Sequence, residues 1–123
     1  MKQYLTPEQT AKLIELGFEK PKSISSIKVT GNIITTADDL IGEPSSVMGG
    51  KITANYSIGE LIEMLPKIHP SYHDPYCLDI GFDTVNWVVG YTYDGGYMEV
   101  ATSYELIDTL YELILYLNQE GRL

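Results

Sequence analysis

The length, composition and charge of the chain limit what it can be. Its 123 residues, 44% hydrophobic and 20% charged, are typical of one globular domain with its own core, so we expect a single domain over residues 1–123. The formal net charge of −9 argues against a nucleic-acid ligand, because phosphate binding depends on clustered Lys and Arg.

Three further features bear on the compartment. Cys77 is the single cysteine, which excludes an intramolecular disulfide and favours a reducing environment. The first residues lead directly into a capped helix rather than an apolar secretory leader, and no apolar run approaches the ~20 residues that cross a bilayer. We therefore expect a soluble, cytoplasmic protein without a membrane partner.

The acidic charge is concentrated in the second half of the chain. Residues 1–55 contain six Lys and six acids, whereas residues 56–123 contain Lys67 and Arg122 against eleven acids. This asymmetry can steer a basic partner to one end of the molecule, and the plainer interpretation is a well-solvated acidic surface.

Caps and apolar spacing predict the first elements. A helix begins at Pro7 after a cap at Thr6, with Gln9 completing the capping box, and ends at Gly17. Apolar residues on both sides of Gly31-Asn32 predict a β-hairpin within Ser23–Thr36. The stretch Ala37–Gly50 has no sustained period and predicts a long loop.

The second half predicts one helix, three strands and one more helix. The helix covers Ile58–Leu65, after a Ser cap. Alternating residues then predict a meander of strands over Cys77–Phe82, Trp87–Tyr93 and Tyr97–Ala101. The last helix begins after a cap at Thr102 and runs about 18 residues.

These elements define an α+β fold in the order α-β-β-α-β-β-β-α. Short turns within each group of strands predict antiparallel pairing. We expect a single five-stranded antiparallel sheet with the helices on one face, covered mainly by the broad apolar face of the last helix. Two sheets that share the helical layer are the alternative.

Three segments of the sequence carry a resemblance to known proteins. They are Tyr4–Gln9 with Leu13–Gly17, Tyr56–Lys67, and Leu106–Ile114 up to Gly121. In their order and helix caps these segments resemble small uncharacterised proteins of gut-bacterial prophages and mobile elements. The resemblance covers most of the chain and implies an accessory protein of a mobile element, with no assigned activity or catalytic residue.

The densest group of potential metal ligands lies in one proline-rich segment. It consists of His69, His73, Asp74 and Cys77. Imidazole, carboxylate and thiolate groups are the ligands that bind Zn²⁺, and Cys77 with His73 as a base is the corresponding candidate for a Cys/His enzyme. The competing interpretation is an exposed turn, because the prolines prevent the continuous helix that ligands at i and i+4 favour.

Tyrosine is the second feature of functional interest. Three of the ten Tyr surround one predicted hairpin, at Tyr91, Tyr93 and Tyr97. Three acids, Glu105, Asp108 and Glu112, lie on the polar face of the last predicted helix. Tyrosine is favoured at protein interfaces, although these rings can also cap the rim of a small core.

We therefore carry three hypotheses from the sequence. The leading one is a non-enzymatic protein-interaction module of a mobile element, whose acidic, Tyr-bearing half docks a protein partner or a second copy. In one variant the acidic face imitates nucleic acid. The alternatives are a metal-binding protein or Cys/His enzyme with its site in residues 69–77, and a structural homo-oligomer. The leading hypothesis requires no cofactor.

Overall fold

The chain forms three helices and six strands in the part that the computed structural model describes, residues 1–22, 24–29, 46–47 and 50–123. In chain order the elements are α1 (Pro7–Glu15), β1 (Ile24–Val29), β2 (Ser46–Val47), β3 (Gly50–Ala54), α2 (Ile58–Met64), β4 (Cys77–Phe82), β5 (Trp87–Tyr93), β6 (Gly96–Ser103) and α3 (Leu106–Gln119). The predicted α+β class and the general order of helices and strands are confirmed.

The described strands form two antiparallel sheets of three strands each, in the orders β1-β3-β2 and β4-β5-β6. A single five-stranded sheet is therefore wrong for these strands. The partner of β1 is β3, with Ile24 opposite Ala54 and Val29 opposite Gly50. The Gly31-Asn32 turn and the strand predicted after it lie outside the described residues.

Part of the predicted loop Ala37–Gly50 is strand in the structure. Ser46–Val47 forms β2 and pairs with the first two residues of β3, which begins at Gly50. Residues 37–45 and 48–49 lie outside the described residues. The Gly-rich composition predicts only a turn here, whereas Gly50 and Lys51 of β3 supply a backbone partner for the two residues of β2.

The residues group into two compact units, Tyr4–Ser57 and Met1–Gln3 with Ile58–Leu123. The first unit contains α1 and the sheet of β1, β2 and β3. The second unit contains α2, the sheet of β4, β5 and β6, and α3. The expectation of one domain stays a prediction.

In the unit Tyr4–Ser57, α1 begins as its capping box predicts. The Gln9 N–H donates to Thr6 Oγ1 at 3.2 Å, and the Thr6 N–H donates to Gln9 Oε1 at 3.0 Å. The helix ends before Gly17, whose φ of +99° suits glycine. The beginning and the end of this unit lie side by side, because the Leu5 N–H donates to the Tyr56 carbonyl at 2.9 Å.

In the second unit, α3 covers the meander. It packs against β5 and β6, and α2 packs against α3. Six apolar side chains of α3 are buried: Leu106, Ile107, Leu110, Leu113, Ile114 and Leu117. Val89 and Tyr91 of β5 are also fully buried. The predicted cover of the sheet by the last helix is confirmed.

The ends of α3 differ in how well they follow the sequence signals. The predicted cap at Thr102 is wrong, because Thr102 continues β6 and pairs with Val88. The residue before the helix is Glu105, which forms no side-chain cap. At the other end the predicted stop is confirmed: Gly121 has a φ of +71°, and the next residue donates its N–H to the Leu117 carbonyl at 2.8 Å.

Truncation of a buried side chain of α3 tests this packing. We expect Leu110→Ala to lower the free energy of unfolding by about 2–5 kcal/mol, because it removes buried methyl groups and leaves a cavity. The matched control is Ile68→Ala, since Ile68 is 57% exposed and should cost less than about 0.5 kcal/mol. Urea unfolding followed by circular dichroism measures both; equal costs would contradict the proposed core.

Candidate functional site

The segment between α2 and β4 folds back along the sheet. The His69 N–H donates to the Tyr76 carbonyl at 2.8 Å, and the Leu78 N–H donates to the Lys67 carbonyl at 2.8 Å. These bonds fix the start and the end of the segment against each other. As a result His69 is buried, whereas His73 and Asp74 in the middle of the segment are exposed.

Both ring nitrogens of His69 have partners in the interior. The residue is only 2% exposed, and its Nε2 lies 2.5 Å from Glu99 Oε2. The Ser71 N–H donates to Nδ1 at 3.1 Å, so the ring proton resides on Nε2 and is donated to the carboxylate. Burial lowers the pKa of His69 below its ordinary value of 6.5, and the nearby positive charge of Arg122 lowers it further.

Glu99 joins this histidine to the end of α3. Its side chain is almost fully buried, and its second carboxylate oxygen forms an ion pair with the guanidinium of Arg122. The buried His69 and Glu99, together with the half-buried Arg122, form a group that we call the buried polar cluster, in which the carboxylate has a partner on each oxygen. A buried carboxylate is tolerated here because both of its oxygens have partners.

A β-bulge places Glu99 in this cluster. Glu99 and Val100 of β6 stand opposite the single residue Gly90 of β5, and Glu99 has a left-handed φ of +53°. A Cβ atom at position 90 would lie 2.9 Å from Val100 Cγ2 and 3.1 Å from Val100 Cα. Glycine at this position therefore permits the close approach of the two strands at the bulge.

A line of aromatic rings continues from the cluster. The rings follow one another in the order Tyr91, His69, Tyr72, Tyr76 and Tyr93, with centroid separations of 4.9, 4.4, 5.0 and 5.5 Å. The guanidinium carbon of Arg122 lies 5.9 Å from the centroid of the Tyr72 ring. These contacts hold the segment after α2 and the end of α3 to the same side of the unit.

The predicted metal ligands are not brought together as a site. His69 is occupied by the cluster, His73, Asp74 and Cys77 are exposed, and the Cys77 thiol donates to the Pro75 carbonyl at 3.4 Å. Within the described ranges, no three His, Cys, Asp or Glu side chains lie where they could hold a metal ion. The physical reason is the fold of the segment, which turns one histidine inward and leaves its neighbours in solvent.

The tyrosines predicted at an interaction surface divide into two groups. Placing Tyr91 on that surface was wrong: it is fully buried, its hydroxyl donates to the Pro66 carbonyl at 2.8 Å, and burial raises its pKa to about 12. Tyr93 and Tyr97 are 40% and 51% exposed. The Tyr97 hydroxyl donates to Asp79 Oδ2 at 2.9 Å, and this bond and the negative charge of the carboxylate raise the pKa of Tyr97.

The three predicted acids also differ in their surroundings. Glu105 and Asp108 are half-buried and contact Lys2: its backbone N–H donates to Glu105 at 3.1 Å, and its ammonium group lies 3.1 Å from Asp108. Glu112 is exposed on α3. The N-terminal residues thus offset part of the acidic charge at the start of α3.

An exposed apolar patch, which the sequence did not indicate, lies at one end of the meander. It is formed by Phe82, Val85 and Tyr104, which are 57%, 62% and 77% exposed, around the half-buried Trp87. The rings of Phe82 and Trp87 are 5.3 Å apart in an edge-to-face arrangement. With Met1, Thr84 and Glu105 these side chains line a shallow cavity of about 600 Å³.

The turn between β4 and β5 builds this patch. Asp83 Oδ1 accepts hydrogen bonds from the Val85 N–H at 3.0 Å and the Asn86 N–H at 2.7 Å, which lowers the pKa of Asp83. The turn places Phe82 directly opposite Trp87. The sequence does place Phe82 and Trp87 on the two sides of the turn and Val85 within it. Alternation along β4, however, predicts that Phe82 points into the core.

Comparison with known proteins gave no match: no protein-family model, no curated protein and no solved structure is similar enough to this chain to be matched. None of the helices in the described residues combines the length and the apolar character needed to cross a bilayer.

Substitution of Gly90 tests the bulge. We expect Gly90→Ala to lower the free energy of unfolding by about 1–3 kcal/mol, because the new methyl group overlaps Val100 and its backbone. Gly81→Ala is the matched control in the same sheet, since a Cβ there meets nothing within 4 Å. Denaturant unfolding compares the two; a Gly90→Ala cost no larger than that of Gly81→Ala would sink the interpretation.

The lowered pKa of His69 predicts a pH dependence of stability. Between its folded pKa and 6.5 the native state binds fewer protons than the unfolded state, so the free energy of unfolding falls as pH drops below 6.5. The slope for one proton is at most about 1.4 kcal/mol per pH unit. The charged and titratable groups facing the ring are Glu99, Arg122, Tyr72 and Tyr91.

Urea unfolding between pH 7 and pH 5 measures this effect. We expect His69→Gln to reduce the slope, because glutamine does not titrate. His73→Gln is the control, since His73 is exposed and should leave the slope unchanged. If His73→Gln rather than His69→Gln reduced the slope, the attribution of the pH dependence to His69 would be wrong.

Proposed function

We propose that the protein is a non-enzymatic protein-interaction module of a mobile element, and that its second unit docks a protein partner through the apolar patch. The observation that carries the proposal is the exposure of Phe82, Val85 and Tyr104 beside Trp87. The mobile-element origin rests on the sequence resemblance alone.

The composition of the patch supports a docking role. Single exposed apolar side chains are ordinary on protein surfaces. A contiguous group of them that lines a cavity is more typical of an interaction site. Trp and Tyr are the residues most enriched among those that dominate binding energy at interfaces. Trp87 and Tyr104 both line the cavity of the patch.

The charge around the patch indicates what kind of partner fits. The unit formed by Met1–Gln3 and Ile58–Leu123 contains eleven acids against Lys2, Lys67 and Arg122. Asp83 and Glu105 border the patch. A partner surface with apolar side chains surrounded by Lys or Arg therefore complements it, and electrostatic attraction would speed their encounter.

The same charges weigh against a second copy as the occupant. A two-fold contact through the patch would bring Asp83 and Glu105 of both copies close together, and like charges across an interface oppose association. A homo-oligomer is therefore an outcome that the experiment must detect rather than the expected one.

The buried polar cluster does not favour the enzyme hypothesis. Both nitrogens of His69 and both carboxylate oxygens of Glu99 already have partners, and the histidine is not exposed to a substrate. A general base must reach the proton that it removes. The cluster is better suited to holding the end of α3 in place.

The proposal is tested by patch-dependent capture. Proteins that bind the immobilised chain in a lysate of its host are compared with those that bind the variant Phe82→Ser/Tyr104→Ser. We expect a protein that is captured by the first and lost with the second, with affinity reduced about 30-fold or more, since loss of a dominant contact costs ≥ 2 kcal/mol. Trp87 is the single tryptophan, so its fluorescence reports binding of the purified partner at the patch.

The matched control is Tyr93→Ser/Tyr97→Ser, which removes two exposed rings elsewhere on the meander. It should retain the partner, and added salt should weaken the complex. Capture that is equal for both variants, or a stable dimer in light scattering that only the patch substitutions dissociate, would overturn the proposed partner.

A further inference from the structure

The last strand of the meander has one edge that pairs with no strand in the described part of the chain. β6 pairs with β5 along one side only, and it stands last in the order β4-β5-β6. An edge strand directs the N–H and C=O groups of alternate residues away from the sheet. With eight residues β6 is the longest strand of its sheet, although natural edge strands are usually kept short.

A groove runs along this edge between β6 and α3. Residues 99–103 of β6 form one wall, and Glu112, Leu113 and Tyr116 of α3 form the other. The volume of the groove is about 490 Å³. Five strand residues extend over roughly 17 Å, which is the length of a short extended peptide.

The side chains of the groove define its chemistry. Leu113 is buried and forms an apolar floor, whereas Tyr116 is 44% exposed. Two carboxylates and no Lys, Arg or His line the groove. Glu99 is paired within the buried polar cluster, so the exposed Glu112 is the acid that faces an incoming ligand.

We infer that the groove between β6 and α3 binds an extended segment of a partner protein that carries Lys or Arg, and that the segment adds to β6 as a fourth strand. In such strand addition, main-chain hydrogen bonds provide affinity and side-chain contacts provide specificity. The basic side chain pairs with Glu112, and an apolar neighbour packs against the exposed part of Tyr116. The groove is a different surface from the apolar patch, so the inference goes beyond the proposed function.

The other occupants of such an edge are less well matched. Pairing of β6 with β6 of a second copy would bring the two acidic grooves together. The bulge at Glu99 could instead serve to discourage pairing, since bulges twist edges away from other chains. From Ala101 to Ser103, however, β6 pairs regularly with β5, and that part of the edge also lines the groove.

A displayed library of random heptapeptides, selected against the full chain at low salt, tests the inference. We expect the selected peptides to be enriched in Lys or Arg. Fluorescence anisotropy then measures the affinity of the chain for the best peptide. Glu112→Lys should reduce this affinity at least about fivefold, because it replaces an attractive charge pair with a repulsive one. Glu63→Lys makes the same change in net charge at an exposed site on α2 and should leave affinity nearly unchanged.

Backbone methylation of the same peptide distinguishes strand addition from side-chain binding. Two versions are made, each N-methylated at alternate residues. One version should lose binding and the other should retain it, because only every second N–H of an added strand faces β6. Retention or loss with both versions, peptides without basic residues, or equal effects of Glu112→Lys and Glu63→Lys would overturn the inference.

The patch variant separates the two proposals. Phe82→Ser/Tyr104→Ser should still bind the selected peptide. Loss of binding would show that the peptide binds at the patch and would overturn the inference about the groove. The opposite outcome is also possible to detect. If the peptide passes every test but the patch substitutions do not change partner capture, the proposed docking surface is wrong and the inference about the groove is retained.

Discussion

Burial of one face of α3 against β5 and β6 is the interaction on which the second unit depends. Six Leu and Ile side chains of that helix are buried, and each contributes ~1.5–3 kcal/mol when removed from water. Because the net stability of an ordinary domain is only ~5–15 kcal/mol, loss of this burial would unfold the unit. Without this contact the meander would expose the apolar face that carries Val89 and Tyr91.

The buried polar cluster joins the two ends of the same unit. His69 comes from the segment before the meander, Glu99 from its last strand and Arg122 from the end of α3. Charges removed from water are costly unless they are paired, so this arrangement requires the bulge that turns Glu99 inward and the glycine that accommodates the bulge. The cluster therefore links three separate segments of the unit.

Two surfaces remain outside this framework. The apolar patch lies where β4 and β5 turn, and the groove lies along the open edge of β6. Both combine apolar contact area with acidic side chains. This combination is the one on which the proposed recognition of basic, apolar protein surfaces rests.

The sequence by itself determined the α+β class, the capped start of α1, the meander Cys77–Phe82 to its last strand, and the apolar face of the final helix. These depend on local caps and on periodicity, which neighbouring residues encode. Only the tertiary structure decided that β1 pairs with β3, that Tyr91 is interior and that Phe82 is exposed. Those outcomes depend on which distant segment covers each strand, and the spacing of residues along one strand contains no information about that partner.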